Sequence, residues 1–176
     1  EDPYAYNQDK DQEILDLALN RIKQLSAHEI GHTLGFAHNF AASAKNRTSV
    51  MDYPHPKLKL IDGKINYKDA YKDGIGDWDK ISVAYSYSDF PESIEEDKAL
   101  QNILKKSIKE GHKFISDYDA RPIGGAHPSA HLWDNGDNAV NELRNILKIR
   151  KIALDNFYIN HIKENETVSL LEDRLV

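Results

Sequence analysis

The sequence predicts a mainly α fold with one small β-hairpin. Three observations carry this. Apolar residues recur at helical spacing over three long stretches, from Asp11 to Gly35, from Ser93 to Ile115 and from Asp137 to Ile162. Clear alternation appears in one place, on either side of Asp62-Gly63. The segments in between are rich in Gly, Pro, Asp and Asn and read as loops.

Each element has its own reason. Residues 1–9 (EDPYAYNQD) are polar, carry a proline and read as an irregular lead-in. From Asp11, the residues Ile14, Leu17, Ala18, Ile22 and Leu25 predict one long helix over 11–35, whose apolar stripe should pack on a core. Residues 39–49 are small and polar, a loop. Pro54-His55-Pro56 breaks regular structure and makes His55 a rigid loop residue rather than a ligand. Lys57–Ile61 and Lys64–Tyr67 flank Asp62-Gly63, a pair suited to the positive φ angles of a type I′ turn. In Asp73-Gly74-Ile75-Gly76-Asp77-Trp78-Asp79, three aspartates among glycines either bind calcium or serve a helix start; capping by Asp77 is the favoured reading. The helix so capped runs from Trp78 to Tyr87, with Ile81, Ala84 and Tyr85 on one face. Ser93 and Glu96 have capping-box spacing and start a helix through Leu100, Ile103, Leu104 and Ile108 to Ile115.

Residues 116–136 form a loop long enough to suggest a cleft wall or an ordered connection. His127 and His131 lie four apart there, but Pro128 argues against a helix joining them into a metal site. Beyond it, Val140, Leu143, Ile146, Leu147, Leu154 and Phe157 predict a helix over 137–162, and residues 167–176 begin another.

The totals narrow the function classes. With 176 residues, 40% of them hydrophobic and 30% charged, the chain can fold around a modest core. A net charge of −6 without a basic run argues against nucleic acid as a partner. No apolar run is long enough to span a membrane. Without cysteine, neither disulfides nor thiolate metal ligands are available.

The chemistry concentrates in His28-Glu29-Ile30-Gly31-His32-Thr33-Leu34-Gly35-Phe36-Ala37-His38. On a helix, His28 and His32 project from one face and aim at one point, with Glu29 at its edge. Gly35 can take the left-handed backbone that ends a helix, letting the chain turn and bring back His38. Three imidazoles around one centre leave a fourth position open, as at a catalytic zinc rather than a structural one. Glycine and histidine at the two further fixed positions reduce chance occurrence to roughly one in 10⁵ from ordinary residue frequencies.

This pattern, H-E-x-x-H-x-x-G-x-x-H, resembles the metzincin clan of zinc peptidases. Ser49-Val50-Met51-Asp52-Tyr53, with the chain's single methionine, sits where that clan carries a methionine turn beneath the metal. From Ser26 to Pro91 the chain resembles the Met-zincin domain of large bacterial zinc-dependent metalloprotease-like proteins. Asn39 follows the third histidine, where better-known branches carry Glu, Ser, Pro or Asp. The resemblance implies Zn²⁺ held by His28, His32 and His38, Glu29 as general base and then acid, and Met51 as a structural support. By the same resemblance Tyr53 ligates the resting metal or donates a hydrogen bond to the reacting oxyanion; the alternative is a buried tyrosine that supports the turn. The implied activity is zinc-dependent endopeptidase cleavage of a protein or peptide; the alternative is a non-catalytic peptide- or glycan-binding module on the same scaffold.

The resemblance further implies export to the periplasm, cell surface or medium of a bacterium. In that clan a twisted sheet precedes the zinc helix, yet only ten residues precede Asp11. The expectation is therefore a fragment, inactive alone, that is the helix-rich lower portion of a metzincin-like catalytic domain, with the upstream sheet missing. It partners the rest of its parent chain upstream. Residues 1–91 are then a partial zinc-binding core and 92–176 a helical C-terminal extension packed on it.

Overall fold

A computed structural model describes residues 11–125, 127–157, 162 and 164–173. Helix α1 spans Asp11–Thr33, a hairpin joins β1 (Lys59–Ile61) to β2 (Lys64–Asn66), and α2 spans Asp77–Tyr87. Then come α3 (Glu96–Lys109), the single turn α4 (Asp117–Ala120), α5 (Ala139–Asp155) and the short α6 (Ser169–Asp173). The fold is mainly α with one two-stranded antiparallel hairpin, as the periodicity predicts. Lys59 pairs with Asn66, Leu60 with Ile65 and Ile61 with Lys64. Asp62 and Gly63 both have positive φ, 51° and 73°, so the turn has the expected mirror-image form. The lead-in at 1–9 and the predicted helix at residues 158–161 lie outside the described residues.

The end of α1 is a Schellman motif. Gly35 sits at φ 84°, its N–H donates to the His32 carbonyl at 2.9 Å, and the Phe36 N–H donates to the Gly31 carbonyl at 3.0 Å. The chain reverses there, and the Tyr87 hydroxyl at the end of α2 closes on the Leu34 carbonyl at 2.8 Å.

Which face of α1 is buried corrects the sequence expectation. Of the predicted stripe, Ala18, Ile22 and Leu25 are exposed, Ile22 at 59%, and Ile14 and Leu17 are only half-buried. Leu15, Leu19 and Ile30 are exposed as well, while Gln24, His28 and Gly31 are buried. The helix carries apolar residues on two sides, and the side that packs is the one bearing the first histidine. The reason is the methionine turn: an added Cβ on Gly31 would lie 2.2 Å from the Met51 sulfur, so only glycine lets the turn approach so closely.

The core therefore gathers around irregular segments rather than under a helix stripe. Phe40, Ala41, Ile115, Ala120 and Ala130 form it, with Tyr53 and Leu132 packed on its edge. α2 packs on α3 and α5 on β2. In α5, Ile149 is buried while Val140, Leu143, Ile146, Leu147 and Leu154 remain exposed.

Two helix starts and two helix ends also differ from expectation. One of the ends is that of α5, which stops at Asp155 with the Asn156 N–H on the Ile152 carbonyl at 3.2 Å, short of the predicted Ile162. Gly76, not Asp77, is the N-cap of α2, and it is Asp79 whose carboxylate accepts the Gly76 N–H at 2.6 Å. The aspartates of this stretch do not gather around a calcium position. Asp73 faces Lys23 at 4.0 Å, Asp77 pairs with Lys80 at 3.2 Å, and Asp79 is buried. For α3 the N-cap is Glu95, because the Ile94 N–H closes a turn on the Pro91 carbonyl at 2.8 Å and delays the helix beyond Ser93. α3 stops at Lys109 rather than Ile115: Gly111 takes φ 79°, and Ile115 is paired with Phe40 instead.

Candidate metal centre

Two segments deliver three imidazoles. His28 and His32 come from the last two turns of α1, one turn apart, and His38 returns from the segment beyond Gly35. Their candidate ligand atoms all lie within 4.8 Å of one another, the one such group among the described residues. Ring centroids are 4.7 Å apart for His28–His32, 4.7 Å for His32–His38 and 5.2 Å for His28–His38.

Each ring is tethered through its Nδ1. His28 Nδ1 lies 2.7 Å from the Val50 carbonyl, His32 Nδ1 2.9 Å from the Phe36 carbonyl and His38 Nδ1 2.7 Å from an Asp117 carboxylate oxygen. A carbonyl oxygen only accepts, so the Nδ1 atoms of His28 and His32 carry the protons and their Nε2 atoms present lone pairs. The same tautomer at His38 follows from the carboxylate. Burial raises the Asp117 carboxyl, but hydrogen bonds from His38 and Arg121 outweigh it and hold the group below the ordinary carboxylate range.

These lone pairs are the fit test for a cation. His32 Nε2 and His38 Nε2 are 3.1 Å apart, too close for two bare lone pairs without a positive charge between them. His28 Nε2 is buried and has no hydrogen-bond partner. Burial also pushes the His28 imidazole below its ordinary pKa, with the Val50 hydrogen bond opposing that shift, so the ring stays neutral, as a metal ligand must be. The residues fit a divalent metal of the borderline class that takes imidazole.

The methionine turn supports this arrangement from below. Asn39 N–H donates to the Met51 carbonyl at 2.8 Å, and Gln24 joins His28 on the Val50 carbonyl at 3.3 Å. The turn hangs on Asp79, whose buried carboxylate accepts from the Ser49 hydroxyl at 2.5 Å and the Val50 N–H at 2.9 Å. Beside the metal position lies Tyr53, its ring stacked on His28 at 5.2 Å and 4.6 Å from that of His38. Trp133 stacks on the far face of this group, 5.4 Å from Tyr53, and its backbone N–H donates to the Tyr53 carbonyl at 2.9 Å. It borders a cavity of about 480 Å³ whose walls include His55, His131, Leu143 and Ile146.

The chain matches the Met-zincin family from residue 10 to residue 176. It belongs to that family. No curated protein and no solved structure matches it.

In this Met-zincin, the structure brings His28, His32 and His38 together and places Met51 and Tyr53 beside them. Glu29 is exposed and outside the imidazole cluster, yet near enough that its charge acts on the His28 ring. His55 is exposed against Trp133 at 6.0 Å, and His127 and His131 join no metal cluster among the described residues. Asp117 and Asp79 are the residues that sequence reasoning misses. Asp79 stands inside a recognisable aspartate run, but the cue there points to helix capping. Asp117 lies 79 positions from its histidine, and no spacing rule reaches that far.

Proposed function

We propose that this Met-zincin is a zinc-dependent endopeptidase whose centre is held by His28, His32 and His38. The observation that carries the reading is the convergence of three Nε2 atoms, each freed by an Nδ1 tied elsewhere. Zinc, when bound, supplies Lewis acidity: it makes water acidic near neutral pH and polarises a peptide carbonyl.

The chain's own residues do the rest. Glu29 follows His28 on α1 and is free of the cluster, so its carboxylate takes the proton of the attacking water and passes it to the leaving amine nitrogen. Tyr53, fixed between the imidazoles and Trp133, offers its hydroxyl to the developing oxyanion. The cavity beside Trp133 receives part of the peptide. A binding module without catalysis would have little use for a free carboxylate next to an open metal position, which favours the enzymatic reading.

Glu29→Gln tests the proposal. Made in the full-length protein, the variant should bind one zinc per chain, measured by atomic absorption after dialysis, and lose cleavage of an unfolded protein substrate by about 10²- to 10⁴-fold. Full residual cleavage would refute the general-base role, and a wild-type chain that holds no zinc would refute the metal centre.

A further inference from the structure

The three histidine tethers are not equivalent. Val50 and Phe36 offer backbone carbonyls that the turn and the helix end already fix. His38 has neither a helix around it nor a carbonyl on its Nδ1. Its tether is a side chain from the other half of the molecule, Asp117 Oδ2 at 2.7 Å. The hydrogen bond is charge-assisted, stronger than the other two, and makes the imidazole more basic.

Asp117 is itself held in place. Arg121 Nη1 takes its other oxygen, Oδ1, at 3.1 Å, which leaves Oδ2 to His38. The segment leading to it is clamped by Asn39, the residue directly after the third histidine, which is fully buried at 0% exposure. Asn39 Nδ2 donates to the Lys113 carbonyl at 3.0 Å, and its Oδ1 accepts from the Ile115 N–H at 3.2 Å and the Ala41 N–H at 3.2 Å. Next to it, the Phe40 N–H donates to the Ile115 carbonyl at 2.8 Å. Residues 38–40 and 113–117 therefore form one unit, stitched by backbone and amide bonds, that ends on the His38–Asp117 contact.

We propose that Asp117 is a positioning residue of the metal centre, orienting His38 so that its Nε2 faces the metal, and that Asn39 sets the segment from which Asp117 reaches it. This rests on reading the three histidines as metal ligands. Residues 113–121 thereby supply the carboxylate behind the one ligand that α1 cannot orient.

The test compares Asp117→Asn and Asp117→Ala with the wild type. Zinc affinity is read by competition with a chromophoric chelator, ligand geometry by the visible bands of the cobalt-substituted protein, and stability by urea unfolding of the metal-free chain. Asp117→Ala should weaken zinc binding by about 10- to 100-fold. Asp117→Asn, which keeps the shape and a neutral acceptor, should weaken it less and shift the cobalt bands while the metal-free midpoint stays at the wild-type value. Zinc affinity within about twofold of wild type in both variants, with unchanged cobalt bands, overturns the proposal, because removing such a partner ordinarily costs far more. So does a loss of affinity that merely tracks a loss of metal-free stability, since that is what a purely structural ion pair produces. A wild-type chain that binds neither metal overturns the metal centre itself, a result distinct from either of these.

Discussion

Tyr53 shows how much of a residue's role is set by what surrounds its ring. It is packed between His28 and His38 on one side and Trp133 on the other, so its position does not depend on the hydroxyl. Tyr53→Phe therefore keeps the stack and removes one hydrogen-bond donor. If that donor acts on the oxyanion alone, turnover should fall by roughly 10²-fold with KM unchanged. Steady-state kinetics on a peptide substrate read this directly, and unchanged turnover would leave Tyr53 a packing residue. At this scale the sequence is legible where chemistry and spacing coincide. Histidines four apart on a helix, and a glycine able to turn the chain, are enough to predict that three imidazoles meet. It is illegible where a partner is brought by tertiary folding: nothing around Asp117 marks it as the acceptor for His38, and nothing around Asn39 marks it as the clamp.

At the scale of elements, α1 is the instructive case. Its length and its end are legible, because apolar periodicity and Gly35 are local. Which side is buried is not, because the helix offers Leu15, Leu19, Ile22 and Ile30 on one side and the histidine side on the other. Hydrophobicity alone favours the first. What decides is the fit of the methionine turn against Gly31, a close approach that no sequence period encodes. A double-mutant cycle tests that fit. Alanine on an open helix surface stabilises by about 0.5–1 kcal/mol over glycine. At Gly31 its Cβ would collide with the Met51 sulfur, and such overpacking costs about 1–3 kcal/mol, so Gly31→Ala should be destabilising on balance. In a Met51→Ala background the collision is gone, and the same substitution should become neutral or stabilising. Urea unfolding of the four proteins gives the coupling. Equal destabilisation by Gly31→Ala in both backgrounds would mean that the turn is not what requires glycine. The start of α3 carries the same lesson from the other direction: the capping-box spacing at Ser93 is present, yet a local turn on Pro91 wins.

Across the whole molecule, the core and the metal centre are one structure, and this makes stability depend on pH in a way that can be separated by difference. Asp52 follows Met51, is buried, and accepts from the Ser43 N–H at 3.0 Å and the Tyr53 N–H at 2.8 Å. Burial pushes its carboxyl up to about 7, with the nearby Asp134 carboxyl adding to the shift and the two N–H donors opposing it. An unfolded aspartate titrates near 3.8, so between these values the folded chain holds a proton that the unfolded chain has lost. The stability this group contributes is complete below about pH 4 and is lost as pH rises through about 7, with a slope of at most about 1.4 kcal/mol per pH unit. His28 works in the opposite direction. Burial lowers its pKa, so the unfolded chain takes up the proton first, and this contribution is lost as pH falls below 6.5. The wild-type profile sums both with the other shifted groups, among them half-buried Asp134, whose carboxyl is also raised by burial. A variant that silences one group reads that group's share by difference. Asp52→Asn keeps the shape of the side chain and removes its titration. The stability of the wild type relative to Asp52→Asn, from urea unfolding of the metal-free proteins, should therefore shrink steadily between about pH 4.5 and about pH 7.5. A difference that holds constant or grows over that range would place a charged carboxylate in the core beside the methionine turn, and the turn would then be held by an ion rather than by a neutral acid.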